Sequence, residues 1–343
     1  LEDQFGFGPG FDVWERSGWD FFAHPEIGRR FLELRGAGDT EGMKALAAEH
    51  ADLLDPARRT SPATIERALD WLDRQHARAP EQPFFLFVHL FDVHDPYLPP
   101  GEFDRFGDPD YAGPIDGTRV TSPDSPVHAA MPTADLERLV SLYDGGIAFV
   151  DAQLERLFAR LDELELERDT LVMVTSDHGE EFFEHGHKTH RRQLYVESVV
   201  VPLIMRWPAR LPSGTRVAGT VGLIDLAPTI LAATGVGSAS PLPGTNLLAI
   251  ARGEEANAAR TYTSLLYLFE HGQVRERQLG LFSGDEHVLL SHVPAEARRG
   301  RVFDLDKDPG ELAGKEIGSA GESRQALDSR LERLRATFGA LRA

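Results

Sequence analysis

The stretch that most constrains this chain is Thr170–Glu184, TLVMVTSDHGEEFFE. Leu171–Val174 is a continuous apolar, Val-rich run, the pattern of a strand buried on both faces. It turns abruptly polar at Ser176-Asp177-His178-Gly179-Glu180. In an open α/β sheet, ligands gather just beyond the carboxyl ends of the strands. A carboxylate beside an imidazole at such an end, with Gly179 to let the chain turn, reads as a pair of metal ligands, Asp177 and His178. An ordinary strand-to-loop transition with solvated charges gives the same local pattern, so the remainder of the chain has to decide.

A second run repeats the signal. In PFFLFVHLFDVHDPYLPP, Phe84–Leu90 reads as another buried strand, ending in His89, Asp92, His94 and Asp95. Each run follows a helix. Thr60 or Ser61 caps the first, with Pro62 at its opening position and Ile65, Leu69 and Leu72 at helical spacing to about Ala77. Thr133 caps the second and longest, whose apolar stripe takes in Leu136, Val140, Tyr143, Ile147, Val150, Leu154, Leu157, Leu161 and Leu164. Gly145-Gly146 in its middle calls for close packing or a kink, and packing on a sheet is favoured over a coiled-coil seam. Helix followed by buried strand is the rhythm of βαβ units. The predicted fold is therefore α/β, with a mainly parallel mixed central sheet flanked by helices. Were the two strands parallel, Asp92 and His94 would share a rim with Asp177 and His178.

Around this frame, residues 1–35 read as an irregular packed segment. Its Gly6–Gly10 run lacks the preceding strand of a phosphate loop, and Pro9 removes a donor. A short helix is expected over 39–54, a surface loop on a substrate rim over 96–132, and a strand over Val199–Met205 with Pro202 at an edge or bulge. Asp225 caps a short helix that Gly235 stops. From about Arg260 the pattern becomes short strands, Thr261–Leu266, Gln278–Phe282, His287–His292 and Val302–Leu305, followed by a helix over about Glu322–Leu341. Arg298-Arg299-Gly300-Arg301 reads as a solvated turn. The division is a main α/β domain over 1–255 and a C-terminal antiparallel subdomain plus helix over 256–343.

Composition narrows the chemistry. A formal net charge of -19 opposes diffuse attraction to nucleic acid or an anionic membrane, but not an anionic substrate held by a local cation. With no cysteine there is no disulfide, thiolate metal site or cysteine nucleophile. No apolar run approaches the ~20 residues of a membrane span. No signal peptide is visible, though the chain opens on Leu1.

The motifs in order, FFLFVHLFDVHDPYLPP, YDGGIAFVDAQLERL, TLVMVTSDHGE with SDHGEEFFEHG, LYVES, VPLIMRWPARLPSG, DLAPTILAATGV and RVFDLDKDPGEL, resemble the sulfatase family of the alkaline-phosphatase-like superfamily. The resemblance runs from about Phe84 to Leu312. It implies hydrolysis of a small-molecule or carbohydrate sulfate ester at a divalent metal, usually Ca2+, with Mg2+ or Mn2+ open. It also implies a periplasmic or secreted setting. Asp177 and His178 match two metal ligands. His94 matches the histidine at the sulfate or the leaving oxygen. His190 falls where a His or Lys faces substrate, with Lys188 competing for that role.

The sequence also departs from the family. Its members carry a first strand ending in paired acidic or amide ligands, and a C/S-x-P-x-R motif whose Cys or Ser becomes the formylglycine nucleophile. No such frame occurs here, and FGFGPGFDVWE resembles the segment that follows it, so the N-terminal nucleophile-bearing portion is expected to be lacking. Phosphodiester or phosphonate monoester hydrolysis shares Asp177 and His178. His185-Gly-His187-Lys-Thr-His190 nearly spells the zinc cluster of the metallo-β-lactamase family, with Thr189 in the acidic position. No G-x-S-x-G supports a serine hydrolase. A catalytically dead remnant is the non-enzyme reading, and oligomeric state is unread.

Overall fold

A computed structural model describes residues 9–14, 25–50, 60–122, 124–238, 240–256, 261–270, 273–293, 299–317 and 332. They divide into two compact units, 1–166 and 167–343. Of the expected features, the helix over 322–341 apart from Glu332, the glycines Gly6 and Gly8, and Arg298 lie outside the described residues.

The first unit is helical. Residues expected to be irregular instead form α1, Pro25–Ala37, and Gly38 at φ 69° ends it. The short helix α2 spans Thr40–Glu49, with the Asp39 carboxylate accepting the Gly42 N–H at 2.8 Å. Helix α3, Thr60–Arg78, buries Ile65, Ala68 and Leu72. The Ser61 backbone N–H at its start donates to Asp92 Oδ2 at 2.5 Å. Asp92, expected on the rim of a site, thus serves a helix start 31 residues away.

Helix α4, Thr133–Glu163, has 31 residues and a length of about 46 Å. Thr133 is its first helical residue rather than its cap; Pro132 takes the cap position and makes no side-chain cap hydrogen bond. The buried stripe in its first half is Leu139, Leu142 and Phe149 rather than the expected one, and Ile147 is 46% exposed. The cause is the loop over 96–132. Its described residues form neither helix nor strand, yet they bury Tyr97, Ile115, Val120 and Val127. A Cβ at Gly145 would stand 2.7 Å from Phe103 O and from Pro99 Cγ, and the Phe103 and Phe149 rings sit 5.4 Å apart. Arg138 clamps Asp104 through two bonds of 2.5 and 2.7 Å. The loop is therefore packed rather than a surface excursion, and the two glycines are there for close approach.

The run Phe84–Leu90 is extended but pairs with no strand among the described residues, contrary to expectation. Its side chains alternate, with Phe85 and Phe87 each 53% exposed. The pattern supplies the two-residue period, but a strand requires a hydrogen-bonding neighbour.

In the second unit, β1 (Val172–Thr175) forms as expected. Between β1 and its partner lie the hairpin of β2 (Glu181–Phe182) and β3 (Lys188–Thr189), then a single helical turn α5 (Val196–Val199). The partner β4 (Leu203–Arg206) runs antiparallel to β1, with Val174 opposite Ile204. Val172–Val174 are half-buried rather than fully buried. Val199 closes α5, so the strand expected from Val199 starts only after Pro202. Every pair among the described strands is antiparallel, and parallel partners are not among them.

Helix α6, Leu226–Thr234, ends at Gly235 in the left-handed region as expected. Asp225 does not cap it with its side chain. Fully buried, it accepts the Gly222 N–H at 2.9 Å, the Thr245 N–H at 2.7 Å and the Tyr262 O–H at 2.7 Å. One more helical turn, α7 (Leu248–Ala251), follows. The C-terminal sheet is an antiparallel meander of β5 (Thr261–Glu270), β6 (Gln273–Ser283), β7 (Glu286–His292), β8 (Arg299–Asp304) and β9 (Lys315–Glu316). Its core is Leu281 and Val288, packed by Leu279, Leu290, Val302 and Ile317. Arg299 to Arg301, expected in a turn, lie in β8, where the Arg301 guanidinium stacks 5.0 Å over Phe303.

Candidate functional site

Past the end of β1 the chain turns tightly. A Cβ on Gly179 would lie 2.0 Å from Glu197 O, so only glycine passes there. The Gly179 N–H donates to Ser198 O at 2.9 Å, which ties this turn to α5. Asp177 presents an exposed carboxylate, 78% accessible, that accepts the His178 N–H at 3.1 Å. His178 Nδ1 lies 2.7 Å from Gly179 O. A carbonyl only accepts, so Nδ1 carries the hydrogen and Nε2 the lone pair. That Nε2 is 3.7 Å from Asp177 Oδ1. Two donors bound to one cation at about 2.1–2.5 Å and roughly right angles stand some 3–3.5 Å apart, so this spacing fits a shared ion with small adjustment.

The His190 ring lies against that of His178, with centroids 4.0 Å apart and the planes tilted by 32°. Its Nδ1 is 3.1 Å from Glu180 Oε1, and both side chains are nearly buried. The structure therefore brings together Asp177, His178 and His190. The Glu180 partnership was missed from sequence, although an acid two residues beyond the histidine is its visible trace. Lys188 is half-buried on β3, opposite Phe182. Backbone strain concentrates here: Phe183, Thr189 and Arg191 take φ of 71°, 64° and 76°. A β-branched residue at positive φ is an outlier that surrounding contacts must hold, and such outliers cluster at functional sites.

Glu181, beside Glu180, is 1% exposed and accepts from Ser198 Oγ and from Gln193 Nε2, the latter at 2.9 Å. Burial raises its pKa above the usual carboxylate range, the two hydrogen bonds oppose the rise, and the charges of Glu197 and Glu184 add to it.

The zinc-cluster reading of His185, His187 and His190 does not hold. His185 commits Nδ1 to Glu197 at 2.7 Å and Nε2 to Glu311 O at 3.1 Å, so neither nitrogen can ligate. His187 is exposed, and His190 turns to Glu180. Among the described residues no group of three or more His, Asp or Glu side chains is arranged to hold a metal.

His94 belongs to the first unit. Its Nδ1 lies 2.7 Å from Asp95 O, the arrangement seen at His178, and its ring stacks on Phe91 at 4.5 Å. Asp95 accepts from Thr121 Oγ1 at 3.2 Å, and the Asp95–Pro96 peptide is cis.

The sulfatase family model matches residues 38–236. The chain belongs to the sulfatase family. A second model, the C-terminal part of N-sulphoglucosamine sulphohydrolase, matches residues 183–337. Arylsulfatase K of Canis lupus familiaris is 25% identical over 273 residues, covering 72% of this chain and 50% of the relative. This sulfatase chain spans about half the length of the curated relatives it matches. Its fold is that of solved sulfatase-like enzymes. BT4656, solved with its substrate D-glucosamine-2-N,6-O-disulfate, aligns with TM-score 0.57 and 18% identity over 81% of this chain and 69% of that one. The phosphonate monoester hydrolase SpPMH from Silicibacter pomeroyi aligns with TM-score 0.62 and 21% identity over 82% and 60%. Among the described residues no helix is long and apolar enough to cross a membrane.

Proposed function

We propose that this chain carries the metal-proximal and leaving-group part of a sulfatase site that hydrolyses a small-molecule or carbohydrate sulfate ester. The observation that carries the reading is the Asp177–His178 pair, with His178 locked through Nδ1 and the His190 ring packed against it under the hold of Glu180. Asp177 and His178 would hold a divalent cation, Ca2+ first and Mg2+ or Mn2+ by the same donors, which when bound polarises the sulfate oxygens. His190 is oriented to meet a sulfate oxygen or the departing alkoxide, and Lys188 adds a cation on the same hairpin. His94 takes the family's place at the leaving oxygen, its Nε2 lone pair set by the bond to Asp95 O. The 343 residues contain no C/S-x-P-x-R frame and no second pair of acidic ligands in the family position. The nucleophile, formylglycine in the family, is therefore not among them, and the chain alone is proposed to be inactive. The main body is proposed as residues 1–255 and the C-terminal subdomain as 256–343, in a periplasmic or secreted protein.

The test assays the 343-residue chain beside the product of the longest in-frame coding sequence that contains it. Both are offered 4-nitrophenyl sulfate and bis(4-nitrophenyl) phosphate, with Ca2+ or with EDTA. Sulfate cleavage by the longer product, abolished by EDTA, together with no turnover by the chain alone, is the expected outcome. Turnover by the isolated chain overturns its inactivity. A longer product active on the phosphodiester and inert to the sulfate overturns the ester class.

A further inference from the structure

The closing motif DLDKDPGEL lies far from Asp177 in sequence, yet its glutamate reaches the hairpin that carries Lys188 and His190. Asp308 builds the turn. Its carboxylate accepts the Leu312 and Ala313 N–H groups at 2.9 and 2.8 Å, and its carbonyl accepts the Glu311 N–H at 3.0 Å. Glu311 is thereby held at φ 55°, and its side chain is wholly buried. One carboxylate oxygen accepts the Val196 N–H at 2.9 Å, and the other is hydrogen-bonded to Nδ1 of the equally buried His287. The Glu311 carbonyl takes His185 Nε2 at 3.1 Å. A single residue thus grips both flanks of the segment 185–196.

The C-terminal sheet grips the same segment at further points. Gln278 Nε2 donates to Arg192 O at 3.0 Å, and Arg301 donates to Tyr195 Oη at 3.2 Å. The Tyr195 ring stacks flat on His185 at 3.6 Å. Gly280 leaves room for Leu194, whose Cβ would be 3.6 Å from a side chain there. Burying a carboxylate is costly unless it is fully hydrogen-bonded. This one is satisfied by the Val196 amide of the segment 185–196 and by His287 of β7.

We propose that Glu311 is a positioning residue: from the C-terminal subdomain it fixes the segment 185–196, and so the strained hairpin that presents Lys188 and His190. This rests on the substrate-facing role given to those two residues above.

The experiment uses the 343-residue chain and compares wild type with Glu311→Ala, Glu311→Asp and Glu311→Gln. Backbone amide exchange is read across 185–196 and, as reference, at Leu281 and Val288 in the sheet core; the His185 ring N–H resonances are followed by NMR. In Glu311→Ala, exchange over 185–196 rises by about tenfold or more beyond any rise in the core, and the His185 ring signals vanish. Gln keeps an acceptor for Val196 N–H and restores most of the protection. Asp keeps the charge, shortens the reach and loosens the segment even where the Ala variant fails to fold. Exchange over 185–196 that rises only in step with the core, with Gln no better than Ala, overturns the proposal. A titration with inorganic sulfate, read at the His190 ring, separates the two ideas. A silent His190 in wild type beside a loosened Glu311→Ala segment upholds the positioning role and counts against the substrate role.

Discussion

Phe84–Leu90 and Leu171–Val174 look alike as sequences: apolar runs that follow helices and end in acid and imidazole. The structure treats them differently. Leu171–Val174 yields a ladder with Leu203–Arg206, whereas Phe84–Leu90 forms no strand ladder among the described residues. Yet both terminate in the same local device, a histidine whose Nδ1 donates 2.7 Å to the carbonyl of the next residue, His94 to Asp95 and His178 to Gly179. The lesson concerns range. Orientation of a ring by its neighbour's carbonyl needs two residues, while a strand needs a partner from elsewhere in the chain.

The two ends are also anchored through glycines of unequal tightness, and this gives the largest expected effect. A Cβ at Gly179 would meet Glu197 O at 2.0 Å, against 3.1 Å between a Cβ at Gly146 and Asp92 O. Gly179→Ala should lower stability by about 3 kcal/mol or more, because backbone must move. Gly146→Ala should stay within about 1 kcal/mol of wild type, the tight contact being offset by alanine's better helix propensity. Urea unfolding of both variants checks this, and equal costs would erase the distinction.

A middle-sized effect concerns Glu181, behind the first of these ends. Its folded pKa is raised, chiefly by burial, so the folded state holds the proton more tightly than the unfolded chain. Its ionisation therefore disfavours the fold. That penalty is absent below the ordinary carboxylate range and fully present above the raised value, so wild-type stability declines as pH climbs through that window. In Glu181→Gln the decline should flatten, measured as urea midpoints from about pH 4 to about pH 7. A slope unchanged by the substitution would place the pH dependence elsewhere.

The smallest effect belongs to the other end. Phe85 and Phe87 are each about half exposed, so Phe85→Ser and Phe87→Ser should each change unfolding free energy by less than about 0.5 kcal/mol. Losses above about 2 kcal/mol would mean that the run is covered in solution, which would bring the two regions closer in kind.

Much was legible beforehand because it depends on near neighbours or on period. The helix over 133–163, the Gly235 stop, the antiparallel strands from Thr261 onward and the strand that leads into Asp177–His178 follow from local patterns of apolar residues, glycine and turn chemistry. Tertiary structure alone decided the rest. Which face of α4 is buried depends on a loop folding back over it; Asp92 starts a distant helix, and Asp225 holds three donors instead of capping its own helix. Glu180 orients His190, and Glu311 reaches from the far end of the chain to Val196. The physical reason is common to all of these. A side chain's preferred conformation is written in its own and adjacent residues, but a buried polar group goes to whichever partner the folded chain delivers, and that delivery has no period to be read.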